Sequence, residues 1–472
     1  MKINKFYIAV AFIIAAMPLF AQEGNTQNYM RFNPYSNSSN PAHFTPYNGY
    51  FGFPALSNFN LSLTNTAFRY RKLFATDSRG YPVTLTADKF VNSLKKNGNW
   101  LNIHLNEEIL GFGFRIDRLF FSVSFKTKID GYLRFSKDLF AFPIKGNMLY
   151  LGENNPADIS IDASVNAYQE LSLGIQAEVT PRLYLGFRPR LLMGIANFHT
   201  KALQAKIFTD PTDYGITLNY NADMIFVAAL PIHISADNNL ELITEPPFHN
   251  AFRNFGFAMD LGGVYRINDH MGVGLSLTDF GFIRWKTQGV RAVSQLSDQG
   301  SYYQNGNFYF NGLTSQQIAD LIDNENYLNE FLDTVAAYFP LELESFTGRT
   351  TYLNAKLGAE FYYQINPRHR FTAHFEGSIL GKRFFPRMTL AYNANLGNNI
   401  VDLCAHYTIM PHSYGNIGFG LGLNLWPVYL YFTTGNLLSY VTPLSTKHIN
   451  FQFGLVFKWG KVFERPLSDT NY

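Results

Sequence analysis

Charged side chains recur at every second position in several stretches of this sequence, a spacing that places them on one face of a β-strand. Lys126 and Lys128 form one such pair, and Arg188 and Arg190 form another. Four basic side chains on neighbouring strands would make a ladder that attracts anions. The carboxylates placed in the same way are Asp260, Glu360 and Glu376. They would neutralise much of the ladder, so we predict an inward-facing, largely self-paired set rather than the wall of a wide open pore.

Histidines add a second kind of chemistry to the same faces. His374 shares a face with Glu376, and His406 has an inward position on another predicted strand. Imidazole and carboxylate groups can bind zinc, but scattered polar groups inside a sheet protein are the expected interpretation here. The sequence has no Gly-x-Ser-x-Gly motif of a serine hydrolase. We therefore predict no catalytic residues, no metal and no cofactor, and His374 joins the predicted lumen-lining set.

The elements that carry these residues alternate between apolar and polar side chains with period two. In 371–380 the apolar face holds Phe371, Phe375 and Ile379, and the other face holds His374 and Glu376. The same alternation recurs in 185–195, 255–261, 353–361, 417–425 and 448–459. Charges fall almost entirely opposite the apolar face, where they would avoid contact with lipid. Short turns between such stretches predict an up-and-down meander.

Composition identifies the surroundings of these strands. Aromatic residues make up 17% of the 472 residues and charged residues only 15%, against about 25% charged residues in a typical soluble protein. We predict an all-β fold, a transmembrane antiparallel β-barrel of about 14 strands, an even number as in bacterial barrels. A soluble β-sandwich is the alternative, but its outer face would be charged. The net charge of +3 is too small to indicate a nucleic-acid partner.

The N-terminus has the parts of a secretory signal peptide. Lys2 and Lys5 precede an apolar stretch at 6–16, and Ala21 offers a small residue before a cleavage site that would leave Gln22 first. A retained membrane anchor is the alternative interpretation. The lone cysteine, Cys404, lies far from this site, so a lipoprotein and an internal disulfide are both excluded. Export of this kind predicts location in the cell outer membrane, with outer-membrane lipid as a partner.

Several segments do not have the pattern of a barrel wall. Residues 22–54 are rich in Asn, Pro, Tyr and Ser and have no period, which predicts a periplasmic leader or a plug (hatch) inside the lumen. Residues 55–463 would form the barrel, and 464–472 a C-terminal tail. Longer excursions are predicted at 130–163, 237–254 and 288–350. The last has helical apolar spacing over Thr314–Tyr338 and an acidic polar face.

Three motifs resemble those of a known group of barrels. The first is Asn40-Pro41-Ala42 in the leader, and the second is the stretch 276–285, with Asp279, Gly281 and Trp285. The third is the glycine-rich stretch 420–424 followed by 427–431. The chain resembles the FadL-type barrels of Bacteroidota, which include the type IX secretion proteins PorV and PorP/SprF. Its layout is most similar to that of an uncharacterised Bacteroidota family, a domain of unknown function.

This resemblance implies about 14 strands and an N-terminal hatch within the lumen, formed by residues 22–54. No ligand-gating residues of a fatty-acid transporter can be matched. Two functions therefore stay open. One is a FadL-like channel for small or hydrophobic molecules. The other is a barrel that transports nothing and acts as an anchor or adaptor in a secretion or surface-protein complex. An enzyme is not expected.

Overall fold

The fold was analysed in a computed structural model that describes most of the chain. The described residues are 26–65, 67, 74–76, 82–85, 87–96, 98–212, 216–229, 232–234, 240–242, 253–294, 302–305, 341–380, 383–410, 413–441, 448–462 and 467. The predicted signal peptide (1–21) and the predicted loop helix (Thr314–Tyr338) lie outside them, and of the predicted tail only Leu467 is described.

The described secondary structure is dominated by strands. Those of the first half are β1 Tyr47–Gly52, β2 Phe59–Asn65, β3 Phe74–Thr76, β4 Pro82–Leu85, β5 Asn99–Ile116, β6 Leu119–Phe135, β7 Ala157–Thr180, β8 Leu183–Thr209, β9 Ile216–Ala228, β10 Ile232–Ile234, β11 Leu240–Leu242 and β12 Phe255–Arg266. Those of the second half are β13 Met271–Trp285, β14 Gly289–Ser294, β15 Tyr302–Asn305, β16 Leu341–Phe346, β17 Arg349–Tyr352, β18 Lys356–Asn366, β19 His369–Leu380, β20 Arg383–Leu396, β21 Val401–Met410, β22 Ser413–Leu425, β23 Val428–Thr434 and β24 His448–Lys461.

Helices are few and short. The α-helices are α1 Ala87–Ser93, α2 Asp138–Lys145 and α3 Leu438–Val441, and the 3₁₀-helices are Thr26–Tyr29, Ser36–Ser38 and Asn147–Leu149. Within the described residues, none is long and apolar enough to cross a membrane.

One antiparallel sheet of twenty strands closes on itself. β1 and β2 each pair with β5 on one side and with β24 on the other, so the first and last parts of the sheet meet and leave no open edge there. β3–β4 and β10–β11 form two separate two-stranded sheets. The predicted all-β antiparallel class is confirmed.

Several strands are successive parts of one path along the wall. β12 pairs with the first half of β8, and β9 pairs with its second half. On their other side, β12 pairs with β13 and β9 pairs with β14, so β13 and β14 follow one another along the wall. The interruptions let long segments enter or leave the wall without opening the sheet.

The two ends of the ring differ. Two- and four-residue turns at 117–118, 181–182, 267–270, 367–368, 397–400 and 426–427 lie at one end, which we call the turn end. Tyr47 pairs with Lys461 at this same end, so the chain enters and leaves the ring there. The connections at the other end, the loop end, include the helix α2.

Strand side chains alternate between the two faces of the wall. Large apolar side chains point outward and are exposed, for example Leu275 at 69% and Leu357 at 60%. Inward positions are polar or small and mostly buried, such as His374 and Glu376 beside the exposed Phe375. The period-two prediction for these strands is confirmed.

At the loop end, the outer face of the wall is covered by helices. Leu101, Leu133 and Ile161 form a buried apolar cluster with helix residues. Phe140 of α2 packs against Phe90 of α1, with ring centroids 5.0 Å apart. These strands therefore extend beyond the stretch whose outer face is exposed and apolar.

Three predicted boundaries require correction. β1 begins at Tyr47, so the predicted end of the leader at Pro54 lies after the first part of the wall. The predicted excursion at 130–163 is limited to 136–156, because β6 and β7 are longer than their apolar patterns suggest. The predicted loop at 288–350 contains β14, β15, β16 and part of β17.

Candidate functional site

A belt of ion pairs lines one side of the lumen. Its members are Glu108, Lys126, Lys128, Glu170, Arg188, Arg190, Asp260, Asp279 and Lys356, which lie on β5–β8, β12, β13 and β18. We call this set the ionic belt. Arg188 and Arg190, for example, have inward positions, because Phe187 and Leu191 of the same strand lie exposed on the outer face.

Arg190 is the centre of the belt. Its guanidinium contacts Glu170 at 3.0 Å, Asp260 at 2.6 Å and Asp279 at 2.8 Å, and the side chain is 2% exposed. Arg188, two residues earlier on β8, contacts Asp260 at 3.5 Å. The three carboxylates compensate the charge of the buried guanidinium, which would be costly to bury without them.

Three lysines surround this centre. Lys128 lies 3.0 Å from Glu170, Lys126 lies 3.5 Å from Glu108, and Lys356 lies 3.0 Å from Asp279. Five cations therefore alternate with four carboxylates, and the belt has little net charge. The arrangement is a self-paired wall rather than a one-sign ladder.

The position of Asp279 depends on a local break in the sheet. The register between β12 and β13 shifts between Met259 and Leu261, and Asp279 has a φ of 57°. This left-handed conformation is uncommon outside glycine, although aspartate tolerates it better than most residues. The Asp279 amide donates to Asp260 Oδ1 at 2.8 Å, so the bulge brings both carboxylates to Arg190.

The N-terminal segment, residues 26–46, contacts inward-facing residues of the wall. Asn40 Nδ2 donates to the carbonyl oxygens of Gly263 and Leu275 at 3.4 and 3.3 Å. A Cβ built on Gly262 would lie 2.0 Å from Asn40 Oδ1, and one on Gly186 would lie 2.2 Å from the Pro41 carbonyl carbon. The Asn40-Pro41-Ala42 turn thus packs directly on wall positions that only glycine can supply.

Hydrogen bonds attach the rest of the segment around the lumen. Tyr29 Oη lies 3.0 Å from His374 Nδ1, and Thr26 Oγ1 lies 2.8 Å from His406 Nε2. Tyr35 donates its hydroxyl to Glu108 of the ionic belt. The segment therefore contacts strands on several sides of the ring.

His43 makes the charged contact of the segment. Its Nε2 lies 2.5 Å from Glu360 Oε1, and its Nδ1 lies 2.9 Å from the Ser36 carbonyl oxygen. Burial lowers the pKa of His43, but the charge and hydrogen bond of Glu360 outweigh burial and leave that pKa above 6.5. The pair consequently holds better when His43 is protonated.

The other side of the lumen carries a set of neutral polar side chains. These buried amides and hydroxyls, which we call the amide–hydroxyl ladder, are Asn58, Asn60, Thr389, Thr408, Thr433, Asn450 and Gln452. Thr389 and Thr408 hydroxyls are 3.0 Å apart, and Gln452 Nε2 donates to Asn58 Oδ1 at 3.0 Å. Beside the ladder, Met30 of the segment is fully buried against Gly420 and Gly422.

The space left inside the ring is divided. A cavity of about 70 Å³, the upper cavity, lies on the loop-end side of the ionic belt and is lined by residues that include Asp130, Lys356 and Arg387. A second cavity, of about 50 Å³, lies between the segment and the wall at Glu360 and Tyr362. Ligand pockets are usually several hundred Å³, so both cavities are small by comparison.

Comparison with known proteins assigns the family. A model described as a family of unknown function (DUF5723) matches residues 41–435. The chain belongs to this family. The prediction of an uncharacterised family is thereby confirmed, and the match begins at Pro41, within the turn that packs on Gly186 and Gly262. No curated protein matches the sequence.

Solved structures similar to this DUF5723 member are outer-membrane barrels. The toluene transporter TodX of Pseudomonas putida is 11% identical, with 95% of this chain and 100% of that chain covered and a TM-score of 0.43. A FadL homologue of Pseudomonas aeruginosa is also 11% identical, with 94% and 99% covered and a TM-score of 0.44. The translocator domain of NalP from Neisseria meningitidis is 8% identical, with 91% and 94% covered and a TM-score of 0.33. TM-scores this low do not support an inference about function, which must be argued from the geometry of this chain.

The predicted residues fall into two groups in the structure. Lys126, Lys128, Arg188, Arg190 and Asp260 lie together in the ionic belt. Glu360 and Glu376 do not neutralise that belt as expected, and His374 lies outside it. Glu360 pairs with His43, His374 contacts Tyr29, and Glu376 pairs with Arg387 at 2.6 Å.

The family-motif residues have identifiable structural roles. Asn40, Pro41 and Ala42 form the turn on the wall, and Asp279 joins the ionic belt. A Cβ on Gly281 would lie 2.3 Å from that of Ala258, so β12 and β13 approach closely there. Trp285 is fully buried and donates from Nε1 to Thr351 Oγ1 at 2.8 Å.

Several contributing residues were missed. Glu108, Glu170, Lys356, Arg387 and His43 were not predicted. Glu170 begins a clear alternation in 170–176, with Leu171, Leu173 and Ile175 on the opposite face, so its inward position was readable from the sequence. His43 had no such signal, because it lies in a segment without a period. Among the described residues, no group of three or more His, Cys, Asp or Glu side chains is placed so that it could hold a metal ion.

Proposed function

We propose that this DUF5723 protein is an outer-membrane barrel that conducts small or hydrophobic molecules, with residues 26–46 as a plug. The observation that carries the proposal is the path of the N-terminal segment. It contacts the ionic belt at Glu108 and the opposite wall at His406, and it lines the small cavity at Glu360 and Tyr362. A segment that fills the lumen of an otherwise closed ring would have to move for a channel of this kind to open.

Membrane insertion is supported by the outer face of the wall. Exposed leucine, isoleucine and phenylalanine side chains alternate with buried polar ones on β8, β12, β13 and β18–β22. An exposed apolar band of this kind on a closed ring suits lipid and would be unfavourable in water. The turn end, where the chain enters and leaves, would face the periplasm.

We also propose 14 wall crossings. The pairings support treating four groups of segments as single crossings: β1 with β2, β9 with β12, β13 with β14 and β15, and β16 with β17 and β18. The predicted lumen-lining residues would then line one side of a FadL-like barrel. Export by a signal peptide and origin in Bacteroidota stay parts of this proposal.

Liposome flux tests the channel. The purified chain, refolded into phospholipid vesicles, should release small solutes faster than vesicles that carry Leu275→Arg protein. Leu275 lies on the exposed apolar face, and an arginine there would cost about 2–4 kcal/mol near the bilayer midplane and lower the inserted fraction. Absence of flux from a fully inserted wild-type chain would contradict the channel.

An adaptor role is the second candidate. It is favoured by the length of β7 and β8, which contain 24 and 27 residues, where about ten residues suffice for a spanning strand. The surplus would project from the membrane at the loop end, where α1 and α2 cover it. A stoichiometric partner on native pull-down, together with no solute flux, would favour this role.

A further inference from the structure

The upper cavity has charges of opposite sign on different strands. Asp130 and Asn102 line it from β6 and β5, and Lys356 and Arg387 line it from β18 and β20. The other lining residues are mixed, with the polar His104, Tyr168 and Asn354 beside the apolar Ile103, Leu353 and Phe385. A hydrocarbon placed here would exclude water from the charged groups and make no hydrogen bonds with them, which is unfavourable.

Asp130 differs from the other carboxylates around the cavity. It accepts hydrogen bonds from His104 Nδ1 at 2.6 Å and from Tyr168 Oη at 3.1 Å. No lysine or arginine of the described chain pairs with it, whereas Asp279 pairs with Lys356 and Glu376 with Arg387. Asp130 is therefore the carboxylate on which a ligand cation would find least competition.

Asn102 supplies an independent indication of a ligand. It lies two residues from His104 on the same face of β5, and His104 is directly opposite Asp130 in the sheet. The side chain is 7% exposed, and its Oδ1 has no hydrogen-bond partner. A buried acceptor without a donor is costly, and here it lines the cavity beside Asp130.

The side with Lys356 and Arg387 offers complementary donors, beside the carboxylates of Asp279 and Glu376, which pair with these cations and also line the cavity. A guanidinium has five N–H donors, more than a single carboxylate such as Glu376 can engage, and an ammonium has three. Arg387 and Lys356 can therefore contact an incoming anion while keeping their own partners. A single-charge ligand would satisfy only one side of the cavity, whereas a ligand with both charges would satisfy both.

We propose that the upper cavity binds a small zwitterion with a primary ammonium and a carboxylate, of the size of a simple α-amino acid. The ammonium would donate to Asp130 and to Asn102 Oδ1, and the carboxylate would lie toward Lys356 and Arg387. The cavity of about 70 Å³ admits only a few heavy atoms. If the chain is the proposed channel, this site names the class of its substrate, which is polar rather than hydrophobic. The role of the site as a substrate site therefore rests on the proposed channel function.

Binding of glycine, measured by ligand-observed NMR on the full chain in detergent, tests the site. We expect glycine to bind and glycine betaine not to bind, because a trimethylammonium cannot donate hydrogen bonds to Asn102 Oδ1 and is larger. Methylammonium and acetate, which each carry one charge, should bind more weakly than glycine. Equal binding of glycine and glycine betaine would overturn the proposal.

Two variants locate the site. Asp130→Asn should weaken glycine binding about tenfold or more, as expected when a charge-assisted hydrogen bond is lost. Its matched control is Asp162→Asn, because Asp162 also accepts a tyrosine hydroxyl, from Tyr132, but does not line the cavity. If Asp130→Asn does not fold, Asn102→Leu removes the unpartnered acceptor and should weaken binding as well.

The outcome is separable from that of the channel. Glycine binding that depends on Asp130 with no solute flux from liposomes would overturn the channel and keep the site. Solute flux without glycine binding, or unchanged binding in both variants, would overturn the site and keep the channel.

Discussion

The two sides of the lumen hold their polar groups in different ways. The ionic belt contains nine charged side chains with Arg190 at its centre, whereas the amide–hydroxyl ladder opposite it consists of neutral groups that bond in pairs. Substitution of one member of a neutral pair removes one hydrogen bond of modest strength. Removal of a buried charged side chain leaves the opposite charges of its partners buried without compensation. The comparison indicates that the belt is the more vulnerable part of the wall and the ladder the more tolerant part.

Arg190→Met should have the largest effect. Its removal leaves Glu170, Asp260 and Asp279 near one another without the central cation, which we expect to lower the free energy of unfolding by about 3–5 kcal/mol. Urea titration of the refolded chain in lipid vesicles measures this difference.

The matched change in the ladder is Thr433→Val, which breaks the hydroxyl bond to Gln452 Oε1. We expect a loss of about 1 kcal/mol. Losses of equal size in Arg190→Met and Thr433→Val would contradict the contrast between the two sides.

Glycines that face the N-terminal segment sharpen the same comparison. A Cβ on Gly262, near the belt, would meet Asn40 Oδ1 at 2.0 Å and the Pro41 ring at 2.8 Å, and both atoms belong to a rigid turn. A Cβ on Gly420, near the ladder, would meet the flexible end of Met30 at 2.7 Å. Gly262→Ala should therefore cost about 1–3 kcal/mol and Gly420→Ala clearly less.

Limited proteolysis of residues 26–46 provides the second measurement for this pair. Cleavage should increase in Gly262→Ala and stay near the wild-type rate in Gly420→Ala. The opposite order would show that the segment is held mainly from the ladder side.

The smallest expected effect is the dependence on pH. The His43 pKa is raised above 6.5 by Glu360, so the stabilisation from this pair is fully present below the unfolded-state pKa. It is lost as the pH rises through the higher pKa of the folded state. Proteolysis of the segment should accelerate by about threefold across that rise, the effect of a weak ion pair.

Glu360→Gln is the control for this prediction. The variant should show little pH dependence over the same interval, because the group that raises the His43 pKa is gone. If the rate of proteolysis of the wild-type segment fell as the pH rose, the sign would be opposite to the prediction. The His43–Glu360 pair would then not hold the segment in place.

The features that could be predicted from the sequence are those that depend on local interactions. Alternation with lipid on one side is local, so strands such as β19 and the inward positions of Arg188 and Arg190 followed from the sequence. Ion-pair partners depend on the register between distant strands, so the prediction that Glu360 and Glu376 neutralise the basic side chains was wrong. The bulge at Asp279 and the contacts of His43 depend on tertiary structure, since neither leaves a periodic signal.

The central claim is that the N-terminal segment closes the lumen. Its most direct test is single-channel conductance in a planar bilayer, comparing the chain that includes residues 26–43 with one that begins at Phe44. The ring is completed by β1 and β24 without residues 26–43, so the shortened chain should still form the barrel. We predict sustained openings from the shortened chain and only brief openings from the longer one, and identical conductance of the two would contradict the account.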